Sequence, residues 1–268
     1  MFGGKPDRSV QKTNAQMNPH GNTATQAQYA SGAAMSAASL DNMYQAPAAT
    51  SADTRRMTYD DVIIKTGGLL ALLIAVGALT WTMFPQYYIL GAIVGLVFGL
   101  INAFKKEPNP LLIVIYTVAQ GVFLGGISKI YETWQSGVVL QAVLATVCVF
   151  VAALFLFTSG KVRVTPKFTK MLMIGMVGYL LFSLVNVVLV MTGVLDGWGM
   201  RGGGMGIAVG LVAVALASMA LIMDFDSIAV GVRNGIPAKY AWSAAFGLMV
   251  TLIWLYTELL RLIAIFRE

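Results

Sequence analysis

The stretch MGIAVGLVAVALASMALIMDFDSIAVGVR occupies residues 205–233. From Met205 to Met223 every letter is apolar or small. Asp224 and Asp226 then break the run, and apolar letters resume until Arg233. A helix that is apolar all round is either a deep core helix or a membrane span. A bilayer core of ~30 Å needs about twenty such residues, and this stretch supplies them. The rest of the chain decides between the two. Of 268 residues, 57% are hydrophobic and only 11% charged. Soluble domains carry about a quarter charged residues. So few charges cannot cover a water-facing surface. The chain therefore reads as multi-spanning, and long apolar runs in lipid are helices, which satisfy their own backbone.

Six further apolar runs flank this one. The expected spans are about residues 62–84, 87–104, 110–128, 138–158, 171–195, 205–232 and 239–266. Pro85, KKEPNP (105–110), SGKVRVTPK (159–167), DGWGMRGGG (196–204) and NGIP (234–237) separate them. The expected fold is an all-α membrane protein, a seven-transmembrane-helix bundle over residues 57–268. Residues 1–56 are rich in Ala, Ser, Gln, Asn, Gly and Met and read as a disordered cytoplasmic tail. No apolar run follows Lys5 and Arg8, so the tail does not read as a signal peptide.

The net charge of +6 has a topological explanation. Lys105, Lys106, Lys161, Arg163, Lys167, Lys170, Arg233 and Lys239 fall in the loops after the second, fourth and sixth spans. The other loops hold only Lys129 and Arg201. The positive-inside rule then predicts a cytoplasmic N-terminus and a C-terminus on the other side, and the expected location is the plasma (inner) membrane. No nucleic-acid partner is needed to account for the charge; the bilayer is the partner.

Composition excludes much chemistry. The one cysteine, Cys148, reads as a small core residue, and the one histidine, His20, lies in the tail. Ser-His hydrolysis and histidine-rich metal catalysis have no material in the spans. No cofactor, no fixed metal site and no enzymatic activity are expected. The spacings Gly91/Gly95/Gly99, Gly121/Gly125 and Gly206/Gly210 predict close helix packing, with a moving interface as the alternative.

Charges within a bilayer mark candidate functional sites. Lys65 sits one turn into the first span and is expected to snorkel to the interface. Glu258 and Arg261 are three apart in the last span and share a helix face. Asp224 precedes Arg233 by nine residues, which places it ~13 Å into the bilayer at 1.5 Å per residue. Asp226 projects ~200° away around the same helix, so the two acids cannot face one partner.

Three stretches carry a family resemblance. NPLLIVIYTVAQGVFLGGIS (109–128) contains Asn109, Pro110, Tyr116, Gly121, Gly125 and Ser128. DFDSI (224–228) closes the sixth span, and LIWLYTELLRLIAIF (252–266) lies in the last. In this order, over about residues 57–268, they resemble the Bax inhibitor-1 family of seven-helix membrane proteins, in its bacterial branch. The resemblance implies a pH-sensitive calcium leak. Two carboxylates on the sixth and seventh helices would share a proton, with a basic residue near the second helix. It places Asp224, rather than Asp226, at the sixth-helix acid.

The chain departs from that pattern at the second acid. The expected position falls at Leu248, and the nearest acid is Glu258. Asp224 and Glu258 then lie ~15 Å apart in depth by residue count, too far for a hydrogen bond. Either the loop before the last span dips into the bundle, or the paired-acid sensor is absent; the second is the expectation. Lys105, Lys106 and Arg261 are the candidate basic partners. Gln120 stands where many relatives have glutamate.

The expected function is a cation leak channel or ion-homeostasis protein. Asp224 would be the internal site and Glu258 an acid near the outer mouth, with calcium ions or protons as the permeant or regulatory species. One alternative is a non-transporting interaction or stress-regulatory protein that binds other membrane proteins. An intramembrane aspartyl protease is remote, because the last span has no second Asp and the chain has no Gly-x-Gly-Asp.

Overall fold

Prolines and side-chain caps set most of the helix boundaries. The computed structural model describes residues 55–267, and the expected tail lies almost wholly outside them. Helix α1 (Tyr59–Met83) starts at a capping box in which Thr58 and Asp61 bond each other's backbone amides. A short 3-10 turn on Pro85 leads into α2 (Tyr88–Phe104). Helix α3 (Pro110–Trp134) has Pro110 in its first turn and Asn109 as its cap, with Oδ1 accepting from the Leu111 amide at 3.0 Å. Helix α4 (Val138–Thr158) follows Gly137, whose φ of 85° favours glycine. Helix α5 (Pro166–Met191) is capped by Thr165. A 3-10 turn at Gly199–Arg201 precedes α6 (Gly203–Arg233), and another at Ala238–Tyr240 precedes α7 (Ala241–Arg267). Among the described residues, seven helical segments are long and apolar enough to cross a membrane.

Two spans differ from the expected limits by more than three residues at an end. The third continues past Lys129 to Trp134 because its charges are accommodated: Lys129 lies 5.3 Å above the Trp81 ring, and Glu132 accepts from the Gly137 and Val139 amides at 2.6 and 3.2 Å. The fifth begins at Pro166 and ends at Met191, where residues 171–195 were expected; Pro166 starts the helix early. Cys148 is a correction of another kind. It is exposed on the outer face of α4 and not in the core.

Glycine spacing organises one half of the bundle. A Cβ on Gly91 of α2 would stand 2.6 Å from the Phe123 amide nitrogen of α3. One on Gly121 of α3 would stand 2.8 Å from Val76 Cβ of α1, and one on Gly125 would run into the Gly77 carbonyl. Helices α1 and α2 thus lie backbone-close on α3, as small-residue spacing in lipid favours. Helix α7 packs against α6, α4, α1 and α3, whereas α5 rests on α6 and the Gly199–Arg201 turn.

Contacts between chain segments define two poles. At the first, the Met57 amide donates to the Ile236 carbonyl at 2.8 Å and the Ala238 amide to the Arg55 carbonyl at 2.7 Å. Lys239 and Glu107 pair there at 3.3 Å, joining the loops after α2 and α6. Arg201, Trp198, Trp134 and the end of α7 gather at the second pole, where Arg267 donates to the Ser136 carbonyl at 3.0 Å.

Candidate functional site

The α6–α7 pair carries acids near both poles, and each acid finds different company. Asp224 projects from α6 towards the stretch of α7 that begins at Gly247. Its Oδ2 accepts a hydrogen bond from the Thr251 hydroxyl at 2.7 Å. The same hydroxyl lies 3.2 Å from the Gly247 carbonyl, one turn back. Because Gly247 has no side chain, α7 passes close to the carboxylate; a Cβ there would lie 3.5 Å from Oδ1. Leu221, Phe225 and Leu248 are buried around this point. Among the described residues no cation pairs with Asp224. It is an internal carboxylate held by one neutral donor.

Glu258 is in the opposite condition. Oε1 accepts from Arg201 Nη2 at 2.6 Å and from the Tyr179 hydroxyl, while Oε2 accepts from Arg261 Nη2 at 2.5 Å. Arg201 also donates to the Tyr179 oxygen. Arg261 Nη1 continues to the carbonyls of Arg201 at 3.0 Å and Gly206 at 3.4 Å. The Glu258 and Arg261 side chains are buried and Arg201 is partly so. Gly206 and Gly210 make this approach fit. A Cβ on Gly206 would run into the Arg201 carbonyl, and one on Gly210 would stand 2.8 Å from Leu262 Cδ1. The cluster fastens the α5–α6 connection and α5 itself onto α7. A carboxylate that already accepts three hydrogen bonds, two of them from guanidinium groups, is poorly placed to bind a passing cation.

The other sequence-derived candidates fall elsewhere. Asp226 is half-buried on α6 and shares no hydrogen bond with Asp224 or Glu258. Lys105 and Lys106 are exposed after α2, at the pole opposite Glu258, and neither pairs with it or with Asp224. Arg261 does pair with Glu258, as their three-residue spacing suggests. Lys65 lies 3.7 Å from Asp61 and 5.8 Å from the Trp242 ring centre. The α3 motif is used in packing. Asn109 and Pro110 start the helix, Tyr116 meets the Phe246 ring edge-on at 5.0 Å, and Gly121 and Gly125 admit α1. Ser128 bonds the Tyr256 hydroxyl at 2.6 Å.

Sequence reasoning missed Thr251, Tyr179 and the role of Arg201. Arg201 was one of only two cations in the loops expected to be poor in charge, and that exception was the available signal. Thr251 left none, since an isolated threonine in an apolar helix ordinarily bonds its own preceding turn.

With Asp224 opposite Thr251 and Glu258 bound by arginine, the two acids serve separate networks. The loop between α6 and α7 stays at the first pole, so it does not bring them together. A profile of the family described as Bax inhibitor 1 like matches residues 9–268. That match begins well before residue 57, where the resemblance in the sequence starts. A comparison with curated proteins finds no match.

Proposed function

Because the chain belongs to the Bax inhibitor-1-like family of membrane proteins, we propose that it is a cation leak or ion-homeostasis protein in which Asp224 is the internal acid. One observation carries this reading: Asp224 lies inside the α6–α7 interface with a hydroxyl as its partner and, among the described residues, no cation paired with it. Intramembrane acids without a countercharge are costly and recur along ion pathways. Calcium suits a carboxylate and hydroxyl pair because it takes hard oxygen ligands. Protonation of the carboxylate would remove its charge and make conduction depend on pH. Glu258 has no part in cation binding in this reading. Its two arginines close the second pole electrostatically, and a conducting state would require them to move.

The excess of Lys and Arg at the first pole supports a plasma-membrane orientation with the N-terminus in the cytoplasm. The reading includes no chemical catalysis. A protease would need a second carboxylate close to Asp224, and Thr251 occupies the facing position. The test is calcium flux into dye-loaded liposomes across a pH series. Wild-type protein is expected to conduct, and Asp224→Asn to abolish the pH dependence. Absence of flux at every pH would sink the channel and leave the reading as a regulatory partner of other membrane proteins.

A further inference from the structure

We propose that the cleft between α1 and α4 holds the hydrocarbon chains of an anionic phospholipid, with the phosphate at Lys129. Helices α1 and α4 both pack on α7 but do not pack along one another. The space between them is a cavity of about 1080 Å³ with α3, α6 and α7 as its floor. It is at the upper limit of ordinary ligand pockets, about 300–1,000 Å³. Tyr59 and Thr158 line one end, Trp81 and Val139 the other, so it runs the height of both helices.

Its walls are continuous with the lipid-facing surface. Ile74 of α1 and Val147 of α4 line it and are 61% and 54% exposed. The cleft therefore opens sideways, where hydrocarbon, and not water, is the neighbouring medium. Apolar walls such as Leu73, Phe150 and Leu252 offer a chain dispersion contacts without polar competition.

One end differs chemically. There the Ser128 and Tyr256 hydroxyls enter the lining, and Trp81 carries the Lys129 ammonium on its ring at 5.3 Å. Tryptophan and lysine together are typical of the headgroup level. The nearest acid along α3, Glu132, is engaged by the first amides of α4, and no carboxylate pairs with Lys129 among the described residues. A cation that no carboxylate pairs with among the described residues, at the mouth of an apolar slot, complements an amphiphile with an anionic head. The inference does not depend on ion conduction, since Lys129, Trp81, Ser128 and Tyr256 share no hydrogen bond or ion pair with Asp224.

The test is native mass spectrometry of the full chain released from bilayers of equal phosphatidylglycerol and phosphatidylcholine. Wild-type protein is expected to retain phosphatidylglycerol preferentially. Val147→Trp and, from the other wall, Ile74→Trp fill the cleft with a side chain that is already membrane-facing, and both are expected to lose the bound lipid while keeping native helicity. Lys129→Gln is expected to keep a lipid but lose about fivefold of the preference for the anionic head, the weight of one lysine near an anionic surface. Equal lipid retention by wild type and both tryptophan variants would overturn the proposal. So would an unchanged preference in Lys129→Gln, or cross-linking of two copies through cysteines placed at Ile74, which would make a second copy the occupant.

Discussion

Asp224 and Glu258 are both acids within the α6–α7 pair, and the protein treats them in opposite ways. Glu258 receives two guanidinium groups and a phenol. Asp224 receives one hydroxyl. A buried ion pair costs desolvation but locks geometry once formed, and its loss leaves charges stranded. A carboxylate with a single neutral donor contributes little to holding helices together. In the proposed function, this contrast gives Glu258 to assembly and Asp224 to exchange with protons or cations.

The sharpest way to break this comparison is Glu258→Ala. It leaves Arg201 and Arg261 buried without their acid and should cost about 3–5 kcal/mol, read as thermal unfolding in detergent. If Asp224→Ala is equally destabilising, the two acids do the same work and the contrast fails. Next comes Gly206→Ala, where a Cβ meets the Arg201 carbonyl and displaces the turn that delivers Arg201. Overpacking of this kind costs about 1–3 kcal/mol. Gly178→Ala on α5, where a Cβ meets nothing within 4 Å, is the control expected to leave unfolding unchanged. Thr251→Val keeps the shape at Asp224 but removes its donor, for a loss of about 1–2 kcal/mol at most. It should also shift the pH midpoint of flux, which a purely structural threonine would not do. The smallest stability effect is expected for Asp224→Asn, under about 1 kcal/mol, since an amide oxygen can still accept from Thr251. In the proposed function its effect falls on transport, so a large loss of stability with unaltered flux would reverse the two assignments.

How far the sequence reaches follows from the range of each interaction. The seven spans and most of their limits are local matters of apolar length, proline and caps, and they are legible. So is the close packing around Gly91, Gly121 and Gly206, because backbone proximity leaves glycine as its trace. The span past Lys129 is less legible, since a charge there looks like a boundary until Trp81 is found beneath it. The least legible feature is the partner of each acid. Arg201 and Glu258 are 57 residues apart, and Asp224 and Thr251 are 27 apart. No periodicity connects them, so only the assembled bundle pairs them. The resemblance selected Asp224 and could not supply what faces it.

The central position of α7 has a consequence for how the protein is made. Helix α7 is buried over 61% of its most apolar window and α5 over 6%, yet α7 leaves the ribosome after the other six. The glycine contacts of α1, α2 and α3 are available early, so those helices can associate while synthesis continues. Asp224 must wait in the membrane without Thr251, and Arg201 at the second pole without Glu258, until α7 arrives. During that interval the nascent protein carries a carboxylate without its partner inside a span, which makes α7 insertion the step most exposed to quality control.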